Sequence, residues 1–261
     1  MAPVVLLDID GVLTVSWRAL DGAVETVRWL EERQFEVRLL TNTSSVSRAE
    51  IADRLAAAGM PVAAERIVTS VSAAARYLTE TYPGVGCLVL NEGHLHDDLV
   101  GVDQVGADEA GVVLLGGAGP TIGYHELNQA FTLALAGAPL VALHRNYRFE
   151  TSAGLALDMG AFLVGLEAAS LTTATVVGKP AEAFFRAALD DLGADAGHAV
   201  MVGDDIESDV LGAQALGVTG VLVRTGKFRA GDLERRGGRP DHVIDGIGDL
   251  PALLESLADP A

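Results

Sequence analysis

The sequence predicts an α/β protein, a parallel sheet wound with helices and carrying a second α/β lobe within the chain. Short apolar runs alternate with longer amphipathic stretches, which is the pattern of βαβ units. After Pro83, Gly84 and Gly86 the alternation starts again with strands and helices of its own. Finally, two apolar runs empty directly into acids, at Asp8 and at Asp204, as strands do when their carboxyl ends carry a site.

The first run, residues 4–7, reads as a buried strand. A helix over 22–33 follows, with Ala23, Val27 and Leu30 on one face. Residues 37–40 read as the second strand and 47–58 as the next helix, with Ser47 and Glu50 at capping-box spacing and Gly59 as its stop. Residues 67–68 read as a short third strand and 70–81 as the helix after it. The second lobe offers strands at 87–90, 112–115 and 140–143, and helices at 124–136 and 159–169. A strand at 175–177 leads to Gly178-Lys179-Pro180 and a helix reaching about residue 192. The strand 199–202, a helix to about 216, strands at 220–223 and 243–244, and a closing helix near 250–257 complete the order. Arg235-Arg236-Gly-Gly-Arg239-Pro reads as a solvated basic turn.

Composition bounds the function. The chain has 261 residues, 49% of them hydrophobic and 21% charged, which is ordinary for a globular protein. A formal net charge of −18 argues against a broad electrostatic grip on nucleic acid or on an anionic membrane surface. No stretch approaches the roughly 20 apolar residues of a membrane span, and the N-terminal apolar run lacks a basic flank and stops at Asp8, unlike a signal peptide. The single cysteine, Cys87, has apolar neighbours and reads as a small core residue in a reducing compartment. The expected location is the cytoplasm.

Asp8-Ile9-Asp10-Gly11-Val12-Leu13-Thr14 is the sharpest feature. Two carboxylates two positions apart at a strand end point the same way. At about 4 Å and an effective dielectric near 20 they would repel by roughly 4 kcal/mol, so a cation or a shared proton must relieve them. Two surface aspartates in a turn is the plainer reading. Gly203-Asp204-Asp205-Ile-Glu-Ser-Asp209 repeats the logic after a second buried run. Magnesium takes hard oxygen ligands and keeps several waters, so Asp204 is the natural third donor to a site built on Asp8 and Asp10. Asp209 and Asp205 would orient its waters from behind or, more simply, cap a helix. Thr41-Asn42 ends the second strand, where a hydroxyl and loop N–H groups can hold a phosphoryl oxygen or merely make a turn. The chain uses only two lysines, Lys179 and Lys227, within its 18 basic residues. Lys179, in a rigid turn after a strand, can neutralise an aspartyl nucleophile and a transferring phosphoryl group; Lys227, in Thr225-Gly226-Lys227, reads as structural.

With these stations in place the chain resembles the haloacid dehalogenase (HAD) superfamily, in its phosphatase branch. Asp8 to Thr14 looks like the first motif of that family, Leu40-Thr41-Asn42 the second, Gly178-Lys179-Pro180 the third and Gly203 to Asp209 the fourth. The resemblance implies a Rossmann-like doubly wound parallel-sheet core over 1–83 and 176–261, with an inserted α/β cap of C2 type over 84–175. Too little chain separates the first motif from the second for a helical cap there, and the long stretch between Asn42 and Lys179 takes the lobe, as in subfamily IIA. It implies that Asp8 attacks phosphorus, that Asp10 protonates the leaving group and then activates water, and that Asp204, Asp8 and the Asp10 carbonyl hold Mg2+. Thr41, Asn42 and Lys179 would bind phosphoryl oxygens of a small phosphorylated substrate, with the cap excluding water. Caps of this type often dimerise, so a homodimer is among the implied states.

Glu150 to Asp158 and Val223 to Arg229 are most similar to phospholysine phosphohistidine inorganic pyrophosphate phosphatases and their close relatives. Members of that group replace the acid/base aspartate, whereas Asp10 is present here, which implies better catalysis on oxygen esters. Many subfamily members carry Asn-x-Asp in the cap where this chain has Asn146-Tyr147-Arg148, so substrate contacts do not transfer to these three residues or to His144. A signalling phospho-acceptor domain or a noncatalytic protein on the same scaffold is the alternative. The first needs no lid, and the second is expected to lose Asp8 or Asp10.

Overall fold

The computed structural model describes residues 3–93, 95–151, 154–234 and 237–258. Arg235 and Arg236 of the basic turn lie outside these residues. In chain order the strands are β1 (Val4–Asp8), β2 (Thr14–Val15), β3 (Arg18–Ala19), β4 (Val37–Thr41), β5 (Ile67–Thr69), β6 (Cys87–Leu90), β7 (Val112–Leu115), β8 (Leu140–Ala142), β9 (Arg148–Thr151), β10 (Gly154–Leu157), β11 (Thr175–Val176), β12 (Ala199–Gly203), β13 (Thr219–Val223) and β14 (His242–Ile244). The main helices are α1 (Ala23–Glu32), α2 (Arg48–Ala57), α3 (Ser70–Thr81), α4 (Tyr124–Leu135), α5 (Met159–Ser170) and α6 (Glu182–Asp190), with α7 (Gly212–Gln214) and α8 (Leu250–Ala258) near the end.

The chain divides into two compact units. The first comprises residues 1–41, 48–68 and 179–261, and the second 42–47 and 69–178. The first unit is built on a six-stranded sheet in the order β14-β13-β12-β1-β4-β5. β1 runs parallel to both β12 and β4, and β13 parallel to β12 and β14. After β1 the chain winds outward through β4 and β5; on its return it starts again at β12, on the other side of β1. The switch point of this doubly wound sheet therefore lies between β1 and β12, where such folds place their ligands. Register carries the consequence. Leu7 stands opposite Val202, and Asp8 opposite Leu40, so Asp8, Thr41 and the start of Gly203-Asp204 reach the same carboxyl edge. β1 and β12 are buried almost throughout, as continuous apolar runs of a two-sided parallel sheet must be.

The second unit has its own four-stranded sheet, β11-β8-β7-β6, with parallel pairings. Alternate residues serve opposite faces. Leu88, Leu90, Val113 and Leu115 join Ala130 and Ala134 of α4 and Met159 and Leu163 of α5. Cys87, Val112, Leu114 and Val141 meet Val71, Ala74, Ala75 and Leu78 of α3. Because α3 spends its apolar face there, this unit is wider than the 84–175 segment read from the sequence. Burial pushes the Cys87 thiol up to about 11, which keeps it protonated and unreactive at neutral pH.

Several local features add to or differ from the sequence reading. The box that heads α3 joins Thr69 and Ser72, whose side chains accept from each other's backbone N–H at 3.1 and 3.0 Å. The strand before Gly178 pairs with β8, so Lys179 does not extend a strand of the first sheet; it is the residue with which the chain re-enters the first unit. The helix expected after Asp205 begins as a π-helix over Ile206–Leu211, with α7 directly behind it. Short hairpins β2/β3 and β9/β10 were not legible in the sequence.

Candidate active site

Asp8 ends the central strand and is 4% exposed. Its Oδ1 accepts a hydrogen bond from Lys179 Nζ at 2.6 Å. The same ammonium lies 2.7 Å from Asp209 Oδ1 and donates to the Leu40 carbonyl at 3.3 Å. One buried cation thus serves two buried carboxylates and a strand-end carbonyl. Burial alone would push the Lys179 pKa down; the charges of Asp209 and Asp8 more than reverse this and hold it charged.

Asp204 completes the cluster from the end of β12. Carboxylate oxygens of Asp8, Asp204 and Asp209 lie within 4.8 Å of one another, and all three residues are buried. Charges at that separation repel by about 3.5 kcal/mol at an effective dielectric near 20. Burial accordingly pushes each of the three carboxyls up to about 6, against the lowering influence of Lys179 on all three and of Lys227. Three acids against one buried ammonium leave an excess of negative charge that a single divalent cation would balance. The donor atoms fit such an ion. Asp204 Oδ1 is buried and has no hydrogen-bond partner among the described residues, and carboxylate oxygens are the ligands a hard cation takes. Asp209 is engaged on both sides, Oδ1 beside Lys179 and Oδ2 accepting from the Asp205 N–H at 3.1 Å.

The remaining residues singled out in the sequence divide by position. Asp10 follows Asp8 in a turn closed by Leu13 N–H and Thr14 N–H on the Ile9 carbonyl, both at 2.9 Å, and is half-buried, outside the group of three. Thr41 is buried at the end of β4, on the edge that Asp8 occupies. Asp205 caps the π-helix instead, its Oδ1 accepting from the N–H groups of Glu207 and Ser208 at 3.0 and 3.1 Å. Burial opposes ionisation there, but those bonds and Lys227 hold the Asp205 pKa below the usual carboxylate value. Asn42, His144, Asn146, Tyr147 and Arg148 belong to the second unit. Asn42 carries a carbonyl that accepts from Ser70 Oγ at 3.3 Å, and Asn146 N–H donates to His144 Nδ1 at 3.3 Å. Asn146, Tyr147 and Arg148 are exposed.

One reading needs correction. Lys227 is not merely a turn residue, because its backbone N–H donates to Asp204 Oδ2 at 2.7 Å and its ammonium lies 3.8 Å from Asp205 Oδ2. The signal was available in principle: Thr225-Gly226-Lys227 follows β13, the neighbour of β12, at the same sheet edge.

An acid cluster with a buried lysine thus lies at the switch point of a doubly wound sheet. The chain belongs to the haloacid dehalogenase-like hydrolases, within subfamily IIA. A family model described as haloacid dehalogenase-like hydrolase matches residues 5–104, and a second, HAD-hydrolase-like, matches 176–250. Human haloacid dehalogenase-like hydrolase domain-containing protein 2 is 38% identical over 88% of this chain and 87% of its own length. Human phospholysine phosphohistidine inorganic pyrophosphate phosphatase is 36% identical over 98% of this chain and 95% of its own. The p-nitrophenyl phosphatase from Archaeoglobus fulgidus superposes with a TM-score of 0.90 at 29% identity, over 98% of this chain and 99% of that one. The chain is a hydrolase of the phosphatase type. Among the described residues, no helix is long and apolar enough to cross a membrane.

Proposed function

We propose that this chain is a magnesium-dependent phosphatase of small phosphorylated molecules (a phosphomonoester, a phosphoamide or pyrophosphate) that works through a phosphoaspartyl intermediate on Asp8. The observation that carries the reading is the buried set of Asp8, Lys179, Asp204 and Asp209 at the carboxyl edge of the sheet. A nucleophilic carboxylate needs such a setting, desolvated yet held ionised by a fixed cation.

An oxygen of Asp8 attacks phosphorus while the bond from phosphorus to the leaving group breaks. Asp10 delivers its proton to the departing atom. Asp10, now a base, takes a proton from water, whose oxygen attacks the phosphoaspartate, releasing phosphate and restoring the Asp8 carboxylate. Lys179 and the Thr41 hydroxyl hold phosphoryl oxygens, with Asn42 the next donor along the chain. Asp8, Asp204 and the Asp10 carbonyl would hold the ion; Asp209, with both oxygens engaged, orients from behind, and Asp205 supports the turn. When bound, magnesium would supply the positive charge that lets a carboxylate approach a phosphate dianion. A signalling phospho-acceptor or noncatalytic role gains no support from the relatives, two of which bear the names of phosphatases.

Chelation with EDTA should abolish p-nitrophenyl phosphate hydrolysis, and magnesium in excess should restore it. Calorimetric magnesium affinity should also weaken as the pH falls through about 6, where the three carboxyls take up protons that compete with the ion. Activity indifferent to chelator would refute the metal requirement, and a single turnover followed by a stall would favour the phospho-acceptor.

A further inference from the structure

We infer that the turn Thr225-Gly226-Lys227 is the positioning element that fixes the orientation in which the Asp204 carboxylate offers an oxygen to a metal ion. This deepens the magnesium reading above and rests on it. Three observations converge on one carboxylate. Lys227 N–H holds Asp204 Oδ2 at 2.7 Å. Gly226 sits at φ +60, and a side chain there would meet the same Oδ2 and stand 2.9 Å from Asp204 Cγ. Beside it, Gly11 at φ +87 presses from the Asp8-Asp10 turn, with its own Cβ position 2.6 Å from Asp204 Cγ. The two backbones are stapled together by Thr225 Oγ1, which donates to the Gly11 carbonyl at 2.5 Å.

The carboxylate is therefore seated against two bare Cα atoms that lie side by side. It cannot tilt or swing aside without breaking the Lys227 bond and leaving its seat against the glycines, so the direction of its free oxygen is set. Oδ1 is what remains, buried and without a hydrogen-bond partner among the described residues. A hard cation rewards that arrangement, since a ligand already oriented loses little freedom on binding. The exposed Lys227 ammonium is a separate matter. Its distance of 3.8 Å to Asp205 Oδ2 ties the turn to the head of the π-helix, but the seat of Asp204 uses its backbone.

The test is magnesium affinity by calorimetry on the metal-free protein, alongside its melting temperature. Gly226→Ala should raise the magnesium Kd at least tenfold. Thr225→Val, which keeps the shape and loses the donor, should raise it about threefold or more, and Thr225→Ser should restore it, both Thr225 variants with metal-free melting temperatures within a few degrees of wild type. Affinities within twofold of wild type in Gly226→Ala and Thr225→Val would overturn the inference while leaving the metal reading intact. A lower melting temperature with unchanged affinity would also overturn it, because that is a structural role alone. If Gly226→Ala does not fold, the Val/Ser pair at 225 decides. A wild-type protein that binds no magnesium would instead overturn the reading on which the inference stands.

Discussion

Replacing Asp8 with Asn is expected to remove turnover of p-nitrophenyl phosphate by more than about a thousandfold, the scale seen when a nucleophile is deleted from a covalent mechanism. The substitution is nearly isosteric and leaves Lys179 beside Asp209, so the site keeps its shape and loses its attacking oxygen. Magnesium affinity should fall too, because one of the clustered carboxylates becomes neutral. Steady-state rates on a folded, magnesium-loaded variant make the check. Retention of more than a few per cent of the wild-type rate would mean that water attacks phosphorus directly and that Asp8 only binds.

The second large effect is expected at Lys179. Lys179→Met strands two buried carboxylates that now share one ammonium. Breaking a buried pair on one side typically costs about 3–5 kcal/mol, much more than the pair contributes when intact. The loss should depend on pH with a definite sign. Asp8 and Asp209 already sit near 6 in the native state and would rise further without the lysine. A raised carboxyl keeps its proton in the folded state after the unfolded chain has released it, so stability falls as pH climbs through and above that range. Urea denaturation of the metal-free variant should thus show a larger deficit at pH 7.5 than at pH 5. Adding Asp209→Asn should recover part of the stability and none of the activity. By contrast Lys227→Met, whose side chain is 66% exposed, should cost less than about 1 kcal/mol. Equal losses at the two lysines would contradict the geometry.

Much of this architecture was legible before any coordinates. α3 at 70–81, β6 at 87–90 and β7 at 112–115 match their sequence readings residue for residue, because apolar period and flanking glycines agree there. The acid clusters stood out because carboxylates terminate buried runs, which propensity alone does not favour. Other features depended on what sequence pattern does not encode. The β2/β3 hairpin turns through Ser16 and Trp17, both left-handed at φ 50 and 62, without the Asn-Gly signal such turns usually carry. The pairing of β11 with β8 is a tertiary choice, and a two-residue apolar run cannot announce which sheet it will join. The π-helix after Asp205 arises from hydrogen bonding around Asp205 and Asp209, which residue type does not reveal. The contact of Lys227 with Asp204 is not legible from residue type, because its backbone, not its side chain, makes it.

The central claim, two successive displacements at phosphorus with Asp8 as the first nucleophile, is tested most directly by stereochemistry. A thiophosphate monoester made chiral at phosphorus with two heavy oxygen isotopes would be hydrolysed by the magnesium-loaded protein in ordinary water, which supplies the third isotope, and the released thiophosphate analysed for configuration. Each in-line displacement inverts phosphorus, so a phosphoaspartyl pathway must give overall retention. Inversion would mean one direct attack by water, and would contradict the account.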